Sequence, residues 1–151
     1  MYKSLVSLLL ITTLLYSFSC ERNEEVVPAD TQQLVGSWKL LEPGAFNVTL
    51  VVEPVVQTWE RLPDKAFNLS GESAVNIYSS RISYEAPDQR TISIAPIIST
   101  KRGGPSEAMQ FEQLYFANLM AVNRYELTGS NQLRLYYGGD QPGVLVYEKI
   151  K

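Results

Sequence analysis

Carboxylates are the most numerous side chains of this chain that could carry acid–base or metal chemistry. Paired-acid catalysis needs two of them about 5–10 Å apart, and calcium needs a run of closely spaced oxygen ligands. No such run exists, and the chain has no histidine, which excludes histidine triads, histidine-ligated zinc and a histidine pH switch. We therefore expect no enzyme, no metal and no cofactor. Most of the candidate carboxylates lie in predicted turns: Asp64, Glu72, Glu85, Asp88 and Asp140.

The segment from Lys101 to Gly104 is the clearest candidate for binding an anion. It precedes a predicted helix, and the start of a helix presents free N–H groups and a positive dipole to an anion. The segment lacks the spacing of a phosphate-binding loop. A turn that leads into the helix, with Lys101 and Arg102 in solvent, is the favoured interpretation.

Cys20 is the only cysteine, and it closes a short apolar segment at the start of the chain. Lys3 supplies a positive charge, Leu5 to Tyr16 an apolar stretch, and Ser17 and Ser19 small residues before Cys20, which is the pattern of a secretory signal peptide. A membrane-spanning helix needs roughly 20 apolar residues, so this stretch is too short. We expect residues 1–19 to be removed.

The same segment resembles the signal of bacterial lipoproteins, in which a small residue precedes a cysteine that receives lipid. Ser19 fits that position, whereas Ser17 departs from the usual leucine. The resemblance implies that Cys20 is a lipid anchor, and that the protein lies in the bacterial cell envelope at the outer membrane. The alternative is an ordinary signal peptide, after which Cys20 remains a free thiol.

The remaining chain divides into a tether and one domain. Residues 20–32 are acidic and contain Pro28, so they are predicted to be a flexible tether. Residues 33–151 suffice for a single hydrophobic core. The formal net charge of −3 offers no basic stripe, so we expect no nucleic-acid partner.

Most of the domain shows the alternation of β-strands, interrupted by one helix. Strands are predicted near Leu34–Leu41, Val48–Val52, Val55–Glu60, Phe67–Gly71, Val75–Tyr84, Thr91–Ile94, Arg124–Leu127, Gln132–Tyr137 and Val144–Ile150. Apolar residues at three- and four-residue spacing predict a helix from Pro105 to about Val122. Because Leu114, Phe116 and Met120 widen its apolar stripe, we expect this helix to be largely buried. The fold class is α+β and mostly β: a curled antiparallel sheet with one packed helix.

The order of several short motifs resembles the META domain, the HslJ-like family of small envelope proteins, over residues 34–149. The motifs are Gly71, Val75-Asn76-Ile77-Tyr78, Ile94, Ser99-Thr100-Lys101, Glu112, Leu119, Tyr125-Glu126-Leu127 with Gly129, and Leu133 with Leu135. The resemblance implies a curled sheet with a helix packed against it, and makes Gly71, Asn76, Tyr78, Thr100 and Glu112 motif residues. The family often has cysteines where this chain has Val75 and Gly104. If those cysteines pair in relatives, packing replaces the bond here.

Asn76 and Tyr78 have two interpretations. They could grip a ligand, or Asn76 could satisfy backbone groups while Tyr78 fills the edge of the core; the second is favoured. The expected function is a lipid-anchored, non-enzymatic interaction or stress-related module with an envelope protein as partner. The alternative is a small apolar-ligand binder with a lipocalin-like pocket, because Gly36-Ser37-Trp38 also resembles the first strand of lipocalin-like lipoproteins.

Overall fold

Strands dominate the described part of the chain. The computed structural model describes residues 29–55, 66–84, 90–129, 131–138 and 141–150. Its helices are α1 (Ala29–Leu34) and α2 (Ser106–Met120). Its strands are β1 (Gly36–Glu42), β2 (Thr49–Pro54), β3 (Ala66–Glu72), β4 (Ile77–Tyr84), β5 (Ile92–Ile94), β6 (Ile98–Ser99), β7 (Val122–Thr128), β8 (Gln132–Tyr137) and β9 (Gly143–Lys149).

The strands form one antiparallel sheet that curls until its two ends meet. Its order is β5-β4-β3-β2-β1-β9-β8-β7, with β6 paired to the β4 edge that β5 also uses. A bridge between Thr91 and Arg124 joins the two outer strands, and the backbone N–H of Tyr125 donates to the Arg90 carbonyl at 3.1 Å. The result is a nearly closed barrel. The predicted fold class is confirmed.

The core lies inside this barrel because alternate residues of each strand point inward. On β1 the inward residues are Trp38 and Leu40, and on β9 they are Leu145 and Tyr147. Burying one large apolar side chain stabilises the fold by roughly 1.5–3 kcal/mol. The remaining strands supply further buried side chains: Leu50, Val52, Phe67, Leu69, Tyr78, Ile82, Leu133 and Leu135.

Helix α2 confirms the predicted helix, but its burial was overestimated. Tyr115 and Leu119 are buried, whereas Leu114 is 60% exposed and Met120 is 46% exposed. Consecutive helical residues point about 100° apart, so Leu114 cannot share the inward direction of Tyr115. The prediction that α2 is largely buried was therefore wrong: one face packs on the barrel and the other faces solvent.

The two helices close opposite ends of the barrel. Strand β7 begins at Val122, directly after α2, and near its other end Leu127 lines the same surface depression as Gln33 of α1. We call these the α2 end and the α1 end. Helix α1 (Ala29–Leu34) overlaps the last residues of the predicted tether, 20–32.

Several predictions fall outside the described residues. They include the signal segment, Cys20, most of the strand predicted from Val55 to Glu60, and four carboxylates: Asp64, Glu85, Asp88 and Asp140. Among the described residues, neither helix is long and apolar enough to span a bilayer.

Candidate functional site

A buried carboxylate on α2 organises the motif residues. Glu112 is only 7% exposed and points at the turn between β3 and β4. Its Oε2 accepts hydrogen bonds from the Ser73 hydroxyl and from the backbone N–H groups of Val75, at 3.2 Å, and Asn76, at 2.8 Å. Its Oε1 accepts one from Asn76 Nδ2 at 2.6 Å. Glu112 therefore holds this turn against the helix.

Asn76 extends the network to the segment before α2. Its Oδ1 accepts hydrogen bonds from the Thr100 hydroxyl at 2.7 Å and from the Arg102 backbone N–H at 2.8 Å. Thr100 also bonds β4, since its N–H donates to the Ile77 carbonyl at 3.0 Å and its Oγ1 accepts from the Ile77 N–H at 3.3 Å. One amide side chain thus connects three segments: the β3–β4 turn, the strap from residue 99 to 102, and α2.

The electrostatics of Glu112 follow from these donors. Burial by itself would raise the pKa of the carboxyl group, because it disfavours the charged form. The hydrogen bonds from Ser73, from the Asn76 side chain and from the backbone of Asn76 and Val75 outweigh that effect, so the pKa lies below its usual 4.5. Glu112 is therefore ionised at neutral pH, and its four donors are divided unequally, three on Oε2 and one on Oε1.

A chain of three tyrosine hydroxyls crosses the core beside this network. The Tyr78 hydroxyl donates to the Thr49 carbonyl at 2.9 Å and lies 2.8 Å from the Tyr115 hydroxyl, which lies 3.1 Å from that of Tyr147. Burial, and the repulsion that neighbouring tyrosinates would exert, raise the pKa of Tyr78, Tyr115 and Tyr147 well above 10. All three stay neutral at physiological pH and serve as internal hydrogen-bond partners.

Gly71 leaves the space that this chain needs at the α2 end. A Cβ at this position would lie 2.0 Å from the Thr49 carbonyl oxygen and 2.9 Å from the Tyr78 hydroxyl oxygen. Real Cβ atoms do not approach backbone oxygens so closely, so only glycine fits while β2 and β3 stay paired. The absence of a side chain at Gly71 thus leaves room for the Tyr78 hydroxyl to reach the Thr49 carbonyl.

The motif spacing and the fold agree with one known family. The META domain family matches residues 34–149, which include every residue of the hydrogen-bond network and of the tyrosine chain. The chain belongs to the META domain family.

A solved META-like structure has the same architecture. It is described as the NMR structure of the protein from Burkholderia xenovorans, with a TM-score of 0.56 and 22% sequence identity. The match covers 83% of this chain and 89% of that chain. At this identity the similarity extends to the fold alone. No curated protein matches the chain.

This META domain replaces a potential cross-link by packing. Val75 and Gly104 occupy the positions where the resemblance placed cysteines, and a Cβ on Gly104 would lie 3.6 Å from the Val75 Cβ. That separation is typical of disulfides, whose Cβ atoms are about 3.5–4.5 Å apart. Because the same Cβ would lie 2.9 Å from Val75 Cγ2, the valine methyls fill the space that a side chain at 104 would take.

The side chains of the other candidate residues do not converge on this network. Lys101 and Arg102 are exposed, and the Arg102 N–H is already used by Asn76. Glu72 is exposed at the end of β3, and its backbone N–H donates to Thr49 Oγ1 at 3.1 Å. Within the described ranges, no three acidic or cysteine side chains are grouped so as to hold a metal ion.

The interior of the META domain is occupied by its own side chains. Trp38, Tyr78, Tyr115 and Tyr147 are among the largest fully buried residues and belong to one cluster with the strand aliphatics. Two open depressions lie on the surface at the α1 end and share Gln33 and Leu127. One is also lined by Arg90, Tyr125 and Glu126, and the other by Gly129 and Lys149.

Sequence reasoning missed three members of the site. Ser73 is an unremarkable residue in a turn, and Tyr115 and Tyr147 are two among nine tyrosines. The available signal was periodicity: Tyr115 lies on the inward stripe of the predicted helix, three residues after Glu112. A carboxylate and a tyrosine one turn apart on a buried face indicate a shared polar contact with the sheet.

Proposed function

We propose that this META-domain protein is a lipid-anchored protein of the bacterial envelope that works by contacting another protein, without catalysing a reaction. The observation that carries the proposal is the packed core of the described residues. Trp38, Tyr78, Tyr115 and Tyr147 are buried there, inside the curled sheet where a lipocalin-like ligand would bind. With both Glu112 oxygens engaged inside the fold, recognition is left to the outer surface.

Exposed apolar side chains on that surface support a contact function. Ile98 is 74% exposed and Leu114 is 60% exposed, and Met109 and Met120 of α2 are also in solvent. Exposed apolar residues that gather in a patch are typical of protein contact sites. On α2 they alternate with the neutral side chains of Gln110, Gln113 and Ala117, and Glu107 on the first turn is the only charged side chain on the exposed face of this helix.

The envelope location rests on the first twenty residues. Cys20 follows Ser19 directly and is the chain's only thiol. A lipoprotein cysteine carries two or three acyl chains, and anchoring is stable with more than one, since each buried CH₂ contributes about 0.8 kcal/mol. The outer membrane is the proposed site.

The second candidate function, binding of a small apolar ligand, has weaker support. The depression lined by Arg90 and Glu126 has a mainly polar surface, and the one lined by Gly129 and Lys149 is the more open to solvent. Sites for apolar ligands are enclosed and lined mainly by apolar side chains.

Fatty-acid labelling in the native host tests the anchor. Cells expressing the full chain, or its Cys20→Ala variant, are grown with an alkyne-tagged fatty acid, fractionated and probed for the tag. We expect the wild-type chain to carry the tag and sediment with membranes, and the variant to carry none. An untagged wild-type chain in the soluble fraction would refute the anchor. Native mass spectrometry of the same protein tests the alternative, because a retained apolar molecule at one-to-one stoichiometry would favour the ligand binder.

A further inference from the structure

The point where the chain joins the barrel restricts how an anchored domain can meet the bilayer. Helix α1 begins at Ala29 and lies at the α1 end, together with the start of β1 and the end of β9. Helix α2 lies at the opposite end, where Glu112 contacts the β3–β4 turn and Tyr115 meets Tyr78 at the start of β4. The two ends therefore stand at different distances from any anchor that precedes Ala29.

The number of residues between Cys20 and α1 limits how far the barrel can lie from the anchor. Cys20 and Ala29 are nine residues apart, which is at most roughly 30 Å whatever the conformation between them. Strands β1, β7 and β9 have seven residues each, so each is roughly 20 Å long and the tilted barrel is roughly 16 Å tall. Because α2 adds its own diameter of about 10 Å, contact of its outer face with the membrane would extend the link over most of its full length. Contact of the α1 end with the membrane does not require the link to extend.

Helix α1 is fixed to the barrel, so it cannot act as additional tether. The Trp38 indole N–H donates to the Leu34 carbonyl at 2.9 Å, and Lys149 Nζ donates to the Gln33 carbonyl at 3.4 Å. Thr31 and Leu34 are buried against the barrel. Release of this helix would expose Leu34 and break the Trp38 bond, which opposes lengthening of the link.

The surface at the α1 end carries charges of both signs and one exposed apolar side chain. Lys149 is cationic beside Gln33, Glu126 and Glu148 are acidic, and Ile150, which follows β9, is 44% exposed. Cationic side chains near the surface are attracted to anionic lipids. A weak contact is sufficient, because the tether raises the effective concentration of the surface at the bilayer.

We propose that the anchored domain rests with its α1 end on the bilayer, and that the exposed outer face of α2 points away from the membrane. This inference rests on the proposed function, since it needs lipid on Cys20. It adds the face that meets the lipid headgroups and the face left free for a partner protein.

A matched pair of cysteine variants tests the orientation. Gln32 on α1 and Gln113 on α2 are both exposed, so Gln32→Cys and Gln113→Cys change the same side chain at opposite ends. Each intact lipoprotein is purified from its own membrane, labelled with a fluorophore and reconstituted into vesicles containing a nitroxide on the lipid headgroup. Vesicle flotation is measured first, and quenching of the fluorophore second.

We expect both variants to float and the label at residue 32 to be quenched several-fold more strongly than the label at residue 113. Equal quenching, or stronger quenching at residue 113, in floating vesicles would overturn the orientation while leaving the anchor intact. Protein that does not float would overturn the anchor, and the orientation with it. Unchanged unfolding midpoints confirm that neither substitution disturbs the fold.

Discussion

Replacement of Glu112 by glutamine tests whether the buried carboxylate holds the fold together. In Glu112→Gln one carboxylate oxygen becomes an NH₂ group. If the remaining oxygen keeps the three bonds at the Oε2 position, the new NH₂ faces Asn76 Nδ2, and two donors oppose each other. Asn76 cannot turn its amide over without losing its bonds to Thr100 and Arg102. One charge-assisted bond is lost and the others weaken, so we expect a loss of roughly 3 kcal/mol in the free energy of unfolding.

Urea unfolding at pH 7 measures this loss. The matched control is Glu107→Gln, because Glu107 is exposed on the first turn of the same helix. That control removes only a favourable helix-dipole interaction and should cost about 0.5 kcal/mol. A Glu112→Gln variant that unfolds within about 0.5 kcal/mol of the wild type, or no earlier than the control, would show that the network does not stabilise the domain.

The pH dependence provides a second readout of the same carboxylate. The pKa of Glu112 is lower in the folded state than its usual 4.5, so its contribution to stability is present above that pH. The contribution is lost as the pH falls through the folded-state pKa. The stability difference between wild type and Glu112→Gln should therefore narrow on acidification below pH 4.5. A constant difference down to the acid unfolding transition would contradict an ionised Glu112.

Three further predictions concern the core and the missing cross-link. Tyr115→Phe interrupts the row of tyrosine hydroxyls and leaves a buried hydroxyl without its partner. Thermal unfolding should therefore show a loss of about 1–3 kcal/mol in the free energy of unfolding, and an unchanged midpoint would contradict these hydrogen bonds. In urea unfolding, Gly71→Ala should lower the free energy of unfolding by about 3 kcal/mol, because its Cβ meets a backbone oxygen. Gly103→Ala should change the free energy of unfolding little, because its Cβ meets nothing within 4 Å, and similar losses in both variants would refute the steric argument. The double variant Val75→Cys and Gly104→Cys should form a disulfide under oxidising conditions, and its free energy of unfolding should rise by about 3 kcal/mol over that of its reduced form. Free thiols detected by mass spectrometry after oxidation would contradict the short Cβ–Cβ distance between these positions.

The fold class was predictable because the sequence patterns of its strands and helix involve residues that are close together in the chain. The alternation along β1 and β8 and the helical period of α2 can each be recognised from neighbouring residues, and the resemblance to the META family supplied their order. Barrel closure was not predictable in detail, because the bridge from Thr91 to Arg124 joins residues far apart in the chain. Local periodicity also overestimated the burial of α2, since it cannot show where the packed face ends.

The sequence was enough to name several residues of the candidate site, but not to predict which of them bond to each other. Asn76, Thr100 and Glu112 could be named from the motif order, yet nothing in the spacing shows that Asn76 binds both of the others. The tyrosines near the end of the chain show the same limit. Tyr115 and Tyr147 are buried, while Tyr136 is partly exposed and its hydroxyl donates to Glu126 at 2.7 Å. Composition alone treats the three alike, because burial depends on which face of the sheet or helix each occupies.

In-cell cross-linking of the lipid-anchored chain tests the central claim most directly. A photoreactive residue is placed at Leu114, which is 60% exposed on α2, and a control is placed at the buried Leu119 of the same helix. After illumination, the lipoprotein is purified from its membrane and its cross-linked products and bound small molecules are identified. A contact function predicts one specific envelope protein cross-linked to residue 114, absent from the control, and no bound metabolite. A bound lipid or metabolite at one-to-one stoichiometry, with no protein cross-linked to residue 114, would contradict it.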